Sequence, residues 1–314
     1  MKLITFTQNG VQRIGTLEGS KVIDLYEAFK ALLHSEGKLR ASQIADAYIP
    51  ADDMNGFLQG GKESMDFAKQ AIEFALGNES AIPLIFDKNN VKIDAPVPAP
   101  SKMICVGHNY REHILEMKRE IPEYPVVFAK FANTVIGPED DIPFYPISKD
   151  LDYEAEFAFV IGKQARNVSQ ADALDYVAGY TIVNDVTYRD IQRRTIQWMQ
   201  GKSVDGTAPM GPYLITSDEL TNPSGLEIVL TVNGEERQRS NTRNLVFSVQ
   251  YLVEFLSNLM TLEPGDVILT GTPGGVGVAM NPPVFLKDGD IVRIEVDKVG
   301  ALENKVREVS KVLV

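Results

Sequence analysis

The chain opens on KLITFT and VQRIGTL, two short runs rich in apolar and β-branched residues with Asn9-Gly10 between them. That pattern predicts a two-residue hairpin, because both turn positions need a positive φ that Asn and Gly tolerate best. Residues 1 to about 30 read as short strands. Over 64–76 the period lengthens: Phe67, Ala71, Phe74 and Ala75 share one helical face, and Gly77 stands as a stop. DAPVPAPSK follows, with Pro96, Pro98 and Pro100 at alternate positions, which predicts an extended, semi-rigid connector. It divides the chain into a small N-terminal α+β domain, 1–95, and a larger domain, 101–314.

Beyond the connector ICVG, VVFAK, EAEFAFVIG, YTIVND, EIVLTV, DVILTG and IVRIEV are short β-like runs, and Asn233-Gly234 marks a second hairpin. Two helices interrupt them, over about 187–199 and about 248–260. The second carries an apolar stripe, Leu252, Phe255, Leu256 and Leu259, and stops at Pro264-Gly265. Strands outnumber helices and do not alternate regularly with them, so the expected class is α+β rather than a doubly wound parallel sheet.

At 314 residues the chain is long enough for two domains and a proper core. Its formal net charge of −12 argues against a nucleic-acid partner and against docking on an anionic membrane. An anionic ligand would need a local cation to overcome that field. Cys105 is the one cysteine, so no internal disulfide can form; lying in an apolar strand, it reads as an inert core thiol. No stretch approaches the roughly 18–20 apolar residues of a membrane helix. The expectation is a soluble, cytoplasmic protein.

The densest chemistry lies in DYEAEFAFVI, residues 152–161. Alternation puts Glu154, Glu156, Ala158 and Val160 on one face and Tyr153, Ala155, Phe157 and Phe159 on the other. Same-face neighbours stand about 7 Å apart, close enough for two partly buried carboxylates to repel. A proton, a lysine or arginine, or a divalent cation could neutralise them. An isolated E-x-E is more often a solvent-facing strand end. Here the apolar neighbours on both faces, and Asp185 at the strand-to-helix corner of YTIVND, move the reading toward a hard metal ion with oxygen ligands. Thr187-Tyr188-Arg189-Asp190 has the pattern of a helix start.

In ICVGHNYREHILEM a strand ends at Gly107, Asn109 is placed to cap a helix with Glu112 three residues on, and His113 and Glu116 fall on one helical face. A carboxylate on one imidazole nitrogen fixes the tautomer and leaves the other to take a proton. Alone, such a pair is more often a surface ion pair. Lys202, in a Gln-Gly-Lys-Ser loop, could hold a substrate oxyanion or be merely solvated. ILTGTPGGVG lacks the ending of a Walker A loop and the form of a dinucleotide fingerprint, and reads as a tight loop where backbone approaches a ligand, with Thr272 as its polar contact. His34 and His108 receive no role.

Taken together these segments resemble the fumarylacetoacetate hydrolase family over roughly residues 100–314. ICVGHNYREHILEM, LDYEAEFAFVIGK, GYTIVNDVTYRDIQ, QGKS, PMGPYL, VNGEERQ and LEPGDVILTGTPGGVG occur in the family's order, and the length and N-terminal part resemble bacterial members with a small extra domain. The resemblance implies a mixed β-roll, β-sandwich-like catalytic domain, usually a homodimer. It implies a divalent metal (Mg²⁺, or Mn²⁺, with Ca²⁺ also able to enter) on Glu154, Glu156 and Asp185. It implies a catalytic dyad of His113 and Glu116 on a segment that often acts as a lid, a substrate-contacting Lys202, and Arg189, Gln192 and Thr272 lining the pocket. Two departures bear on substrate preference: FAKFANT at 128–134, where many members have proline after the lysine, and His108, where arginine, lysine or leucine is common.

The implied activity is metal-dependent hydrolysis of a C–C bond in an acylpyruvate or other 1,3-dicarbonyl acid. His113, oriented by Glu116, would deprotonate the attacking water, and Lys202 would steady the developing charge. Decarboxylation of oxaloacetate and isomerisation of a hydroxy-dienoate could use the same site. A weakly active binding protein is the reading from another class, and the intact His113, Glu116 and Lys202 argue against it.

Overall fold

The computed structural model describes residues 1–78 and 84–310. Among these the strands form a twelve-stranded sheet, a five-stranded sheet and a two-stranded pair, with eight α-helices around them. The middle of the large sheet runs Lys2–Gln8, Ala208–Thr216, Val177–Asn184, Ala155–Ile161, Val267–Leu269, Met103–Gly107 and Val126–Lys130. Neighbours are antiparallel except Val267–Leu269 and Met103–Gly107, which pair in parallel. The five-stranded sheet holds Glu235–Asn241, Glu227–Val232, Ile291–Val296, Gly300–Glu308 and Ile142–Phe144. No described helix is long and apolar enough to cross a membrane.

Ala155–Ile161 is buried at every position because both of its faces are covered. Phe157, Phe159 and Ile161 join a core shared with the five-stranded sheet and the helix Val249–Leu259. Ala158 and Val160 face a second core, built largely by helices from the first 77 residues. The N-terminal helices thus pack on the part of this face beyond the glutamates. The first strand also enters the large sheet directly, Lys2 opposite Ile215, and the Met1 ammonium donates to Thr216 Oγ1 at 2.7 Å.

The sequence patterns hold at both hairpins. Asn9 and Gly10 have φ of 50° and 77°, Asn233 and Gly234 of 53° and 81°, and Gln8 pairs with Val11 across the first turn. The helix expected over 64–76 spans Gly61–Gly77, so Gly77 is its last residue. The strand reading of the first 30 residues fails at Leu25: Asp24 accepts from the Glu27 amide and starts a helix, Leu25–Ser35. The expected helix over 187–199 is instead the short strand Thr187–Tyr188 and two separate turns, Arg189–Gln192 and Met199–Lys202. Thr187 does not cap, since its hydroxyl donates to the Asp185 carbonyl at 2.8 Å. Val249–Leu259 begins at Ser248, whose hydroxyl takes the Tyr251 amide; Leu252 and Leu256 are buried, whereas Leu259 points to solvent.

Phe157 is fully buried and stacks on Tyr180, with centroids 5.3 Å apart. Phe157→Ala would leave a cavity beside the glutamate strand, and urea unfolding should show a loss of about 3–5 kcal/mol.

Candidate active site

Glu154 and Glu156 stand at the start of the central strand, and Asp185 follows the neighbouring strand at the same end. The corner is set by backbone pairing: the Asp185 amide donates to the Glu154 carbonyl at 2.9 Å, and the Glu154 amide to Asn184 Oδ1 at 3.0 Å. The three carboxylates each offer an oxygen within 4.8 Å of the others, and all three residues are buried. Cations lie among them. Lys202 Nζ is 2.8 Å from Glu154 Oε2 and 2.7 Å from Asp185 Oδ2. Lys130 Nζ is 2.9 Å from Asp185 Oδ1. Arg189 reaches Glu154 Oε1 at 2.6 Å and Asp152 Oδ2 at 2.7 Å.

Lys202 is therefore no solvated loop residue; it is 1% exposed and ends the turn Met199–Lys202. Lys130, Asp152 and Gln238 were not legible as site residues. Lys130 is the one buried position of its strand, Val126–Lys130, so a lone lysine closing an apolar run was the available signal. Gln238 ties the centre from below, its Oε1 taking the Ala155 amide at 2.9 Å and its Nε2 donating to Thr272 Oγ1 at 2.8 Å.

The glycine loop after Val267–Leu269 holds the carboxylates through its amides. Gly271 N–H donates to Glu156 at 2.5 Å, Gly275 N–H to Glu116 at 3.0 Å, and the Gly277 and Val278 amides to Asp152 at 2.9 and 3.0 Å. Gly275 must be glycine: its φ is 97°, and a Cβ would stand 1.9 Å from the Arg237 carbonyl oxygen. The loop was expected to meet a ligand with its backbone; these amides are instead used on the protein's own acids, and Thr272 lines the cavity while accepting from Gln238.

His113 and Glu116 lie on the helix Arg111–Glu116, with Nδ1 3.4 Å from Glu116 Oε2. Asn109 does not cap this helix, which has no side-chain cap. Its amide group binds the Phe247 amide and carbonyl and the Thr270 carbonyl, tying the segment to two other loops. Glu112 accepts from the Ser240 hydroxyl. Cys105 is buried, and burial followed by the Asp185 and Glu156 charges pushes its thiol well up, as expected of an inert core residue.

His113, Glu154, Glu156, Arg189, Lys202 and Thr272 converge on one cavity of about 110 Å³, with Gln192 also in its wall. Its electrostatics are unbalanced. Against burial, which acts the other way, Lys202 and Arg189 hold Glu154 down at about 2. Burial, then Asp185 and Glu154, push Glu156 well above the usual carboxylate range, and among the described residues it has no ion pair. Four buried carboxylates (Asp152, Glu154, Glu156, Asp185) thus face three cations. The acid left over, in an all-oxygen set, is what a hard divalent ion would neutralise, so these residues fit such an ion.

The C-terminal model of the fumarylacetoacetate hydrolase family matches residues 102–307. The chain is 44% identical to the mitochondrial oxaloacetate tautomerase fahd2 of Xenopus laevis over 81% of this chain and 78% of that one. It is 41% identical to the oxaloacetate tautomerase YisK of Bacillus subtilis over 92% and 94%. The structure of a fumarylacetoacetate hydrolase from Exiguobacterium antarcticum superposes with a TM-score of 0.80 at 34% identity, over 98% of this chain and all of that one. A maleylpyruvate hydrolase from Sphingobium sp. SYK-6, in complex with manganese(II) and pyruvate, gives 0.73 at 28%, over 98% and 99%.

Arg189→Met would leave buried Asp152 without its cation and Glu154 with Lys202 alone, and chemical unfolding should show a loss of about 3–5 kcal/mol. Lys62→Met, which breaks the exposed Lys62–Asp66 pair, should cost no more than about 1 kcal/mol. Glu156→Gln should lower Mn²⁺ affinity, read by calorimetry, by more than the roughly 10–100-fold that outer-sphere changes produce.

Proposed function

This chain belongs to the fumarylacetoacetate hydrolase family, and on that premise we propose that it is a divalent-metal-dependent enzyme that moves a proton beside the carbonyl of a small 2-keto acid, with oxaloacetate as substrate and keto–enol tautomerisation as the reaction. The observation that carries this reading is one small cavity lined by Glu154, Glu156, Lys202 and His113, with Asp185 beside the two glutamates and Glu116 beside His113. Its 110 Å³ is well below the roughly 300–1,000 Å³ of pockets that take drug-sized ligands, which favours a short acid over a long acyl chain. The tautomerase names of the relatives point the same way.

Glu154, Glu156 and Asp185 would hold the ion, which when bound fixes the keto acid's oxygens and draws charge from the carbonyl. His113, with Nδ1 turned to Glu116, has Nε2 free to take a proton from the carbon next to the carbonyl. The C–H pair becomes the C=C bond, the carbonyl π pair moves to oxygen, and His113 returns the proton to that oxygen. Lys202 spends two of its three N–H groups on Glu154 and Asp185; the third is available to the same oxygen as it gains charge.

Hydrolytic cleavage of an acylpyruvate is the second reading. It is favoured by the way Gly275 anchors Glu116 behind His113, since a fixed dyad can equally take its proton from water. The tautomerase names of the relatives rank it below tautomerisation.

With Mg²⁺ present, the protein should speed the ultraviolet-monitored conversion of enol-oxaloacetate to the keto form over Mg²⁺ alone, and EDTA should abolish the gain. His113→Ala should keep its Mg²⁺ affinity and lose about 10²–10⁴ in rate. Acetylpyruvate should yield acetate and pyruvate more slowly than oxaloacetate tautomerises. No acceleration over the ion alone, or carbon dioxide as the main product, would reject the reading.

A further inference from the structure

His108 takes no part in the chemistry above, yet it is built into the same cavity. It follows Met103–Gly107 with a φ of 53°, a left-handed turn that few side chains adopt. Its ring lies 6.1 Å from that of His113, and the edge of Trp198 meets it at 5.2 Å. Both ring nitrogens are buried, and neither has a hydrogen-bond partner. A buried polar group without a partner is costly and rare, and it calls for a group that arrives from outside.

Two cations in the same wall are also unused. Arg119 follows the His113 helix and Arg193 follows Arg189–Gln192; both line the cavity and both are exposed. Neither guanidinium has an acceptor or an ion pair among the described residues. Lys130, Arg189 and Lys202, by contrast, are all committed to buried carboxylates. Burial, then the nearby Arg119 charge, lowers the His108 imidazole to about 4, so it is neutral at physiological pH and offers one donor and one acceptor. A chain with a net charge of −12 repels a dianion unless free cations at the cavity offset that field.

We propose that His108, Arg119 and Arg193 form a subsite for the far carboxylate of a four-carbon dicarboxylate whose other end lies at the acidic triad. The inference rests on the reading that a 2-keto acid binds there. His108 and Arg119 then set specificity for two carboxylates over one, and the reacting carbon lies between the subsite and the triad.

Malate and lactate share a 2-hydroxy acid end and differ in the far carboxylate, and neither requires turnover. Calorimetry on the Mn²⁺-loaded protein should give malate an affinity at least about tenfold above that of lactate. His108→Leu and Arg119→Gln should each cut that ratio to about twofold or less, with lactate and Mn²⁺ affinities unchanged. Arg293→Gln, which removes one charge from the five-stranded sheet, should leave the ratio as it was. Equal binding of the two acids by the wild type, binding of neither, or a malate preference that survives both cavity substitutions would overturn the proposal. Because the readout is binding, a protein that prefers malate but does not tautomerise oxaloacetate would sink the function and leave the subsite standing.

Discussion

Glu156 is 1% exposed, sits mid-sheet and, among the described residues, has no basic side chain paired to it, and the arrangement of the neighbouring charges is to be understood from that burden. A lone buried carboxylate either keeps a proton or finds a cation. Lys202, Lys130 and Arg189 are drawn to the other acids at 2.6–2.9 Å, which leaves Glu156 with one loop amide. The protein alone therefore holds one acid more than it can neutralise. A divalent ion would turn that deficit into a surplus of one positive charge, and the surplus is what an incoming acid meets.

The rest of the fold keeps these charges from relaxing. The N-terminal helices cover the central strand at Ala158 and Val160, which continue the face that carries the glutamates. The glycine loop spends its amides on Glu156, Glu116 and Asp152. Asp152 holds Arg189, and Arg189 holds Glu154. Asn109 ties the His113 segment to the loops at Phe247 and Thr270. Asp152, Glu154 and Glu156 are thus each held in part by groups that do no chemistry, which is how a site keeps its geometry at the moment of reaction.

Much of this was legible where the signal is local. The two Asn-Gly hairpins, the strand runs after the connector and the paired glutamates follow from period and turn chemistry. The helix at Leu25 was hidden because KVIDLYEAF reads as an apolar strand until Asp24 is seen as its cap. The broken helix before Lys202 was hidden because Arg189 and Gly201 are set by tertiary demands: Arg189 by Asp152 and Glu154, and Gly201 by the Tyr188 carbonyl, 2.5 Å from where a Cβ would stand. Lys130 and Asp152 escaped because their partners lie 55 and 37 residues away, and no period in the chain encodes such pairings. Four amides of the glycine loop meet the protein's own acids, a pairing the sequence does not announce, since a backbone amide carries no mark of whether it will face a ligand or a side chain.

The division of labour within the cavity explains how one scaffold can carry related reactions. The triad and its cations are locked by mutual pairing, so on the proposed reading that end would accept whatever presents a 2-keto acid. His113 and Glu116, the pair proposed to move the proton, lie on a six-residue helix, and one glycine amide holds Glu116. What that pair takes its proton from, carbon or water, then depends on which atom the far wall places beneath it. That wall is the part with uncommitted groups: His108, Trp198, Arg119 and Arg193. A chemistry set by the fixed end and a selectivity set by the free end can change independently. On the proposed reading, a substitution at the wall would alter which acid is held and where its reacting carbon lies, without disturbing the charge balance of the buried acids.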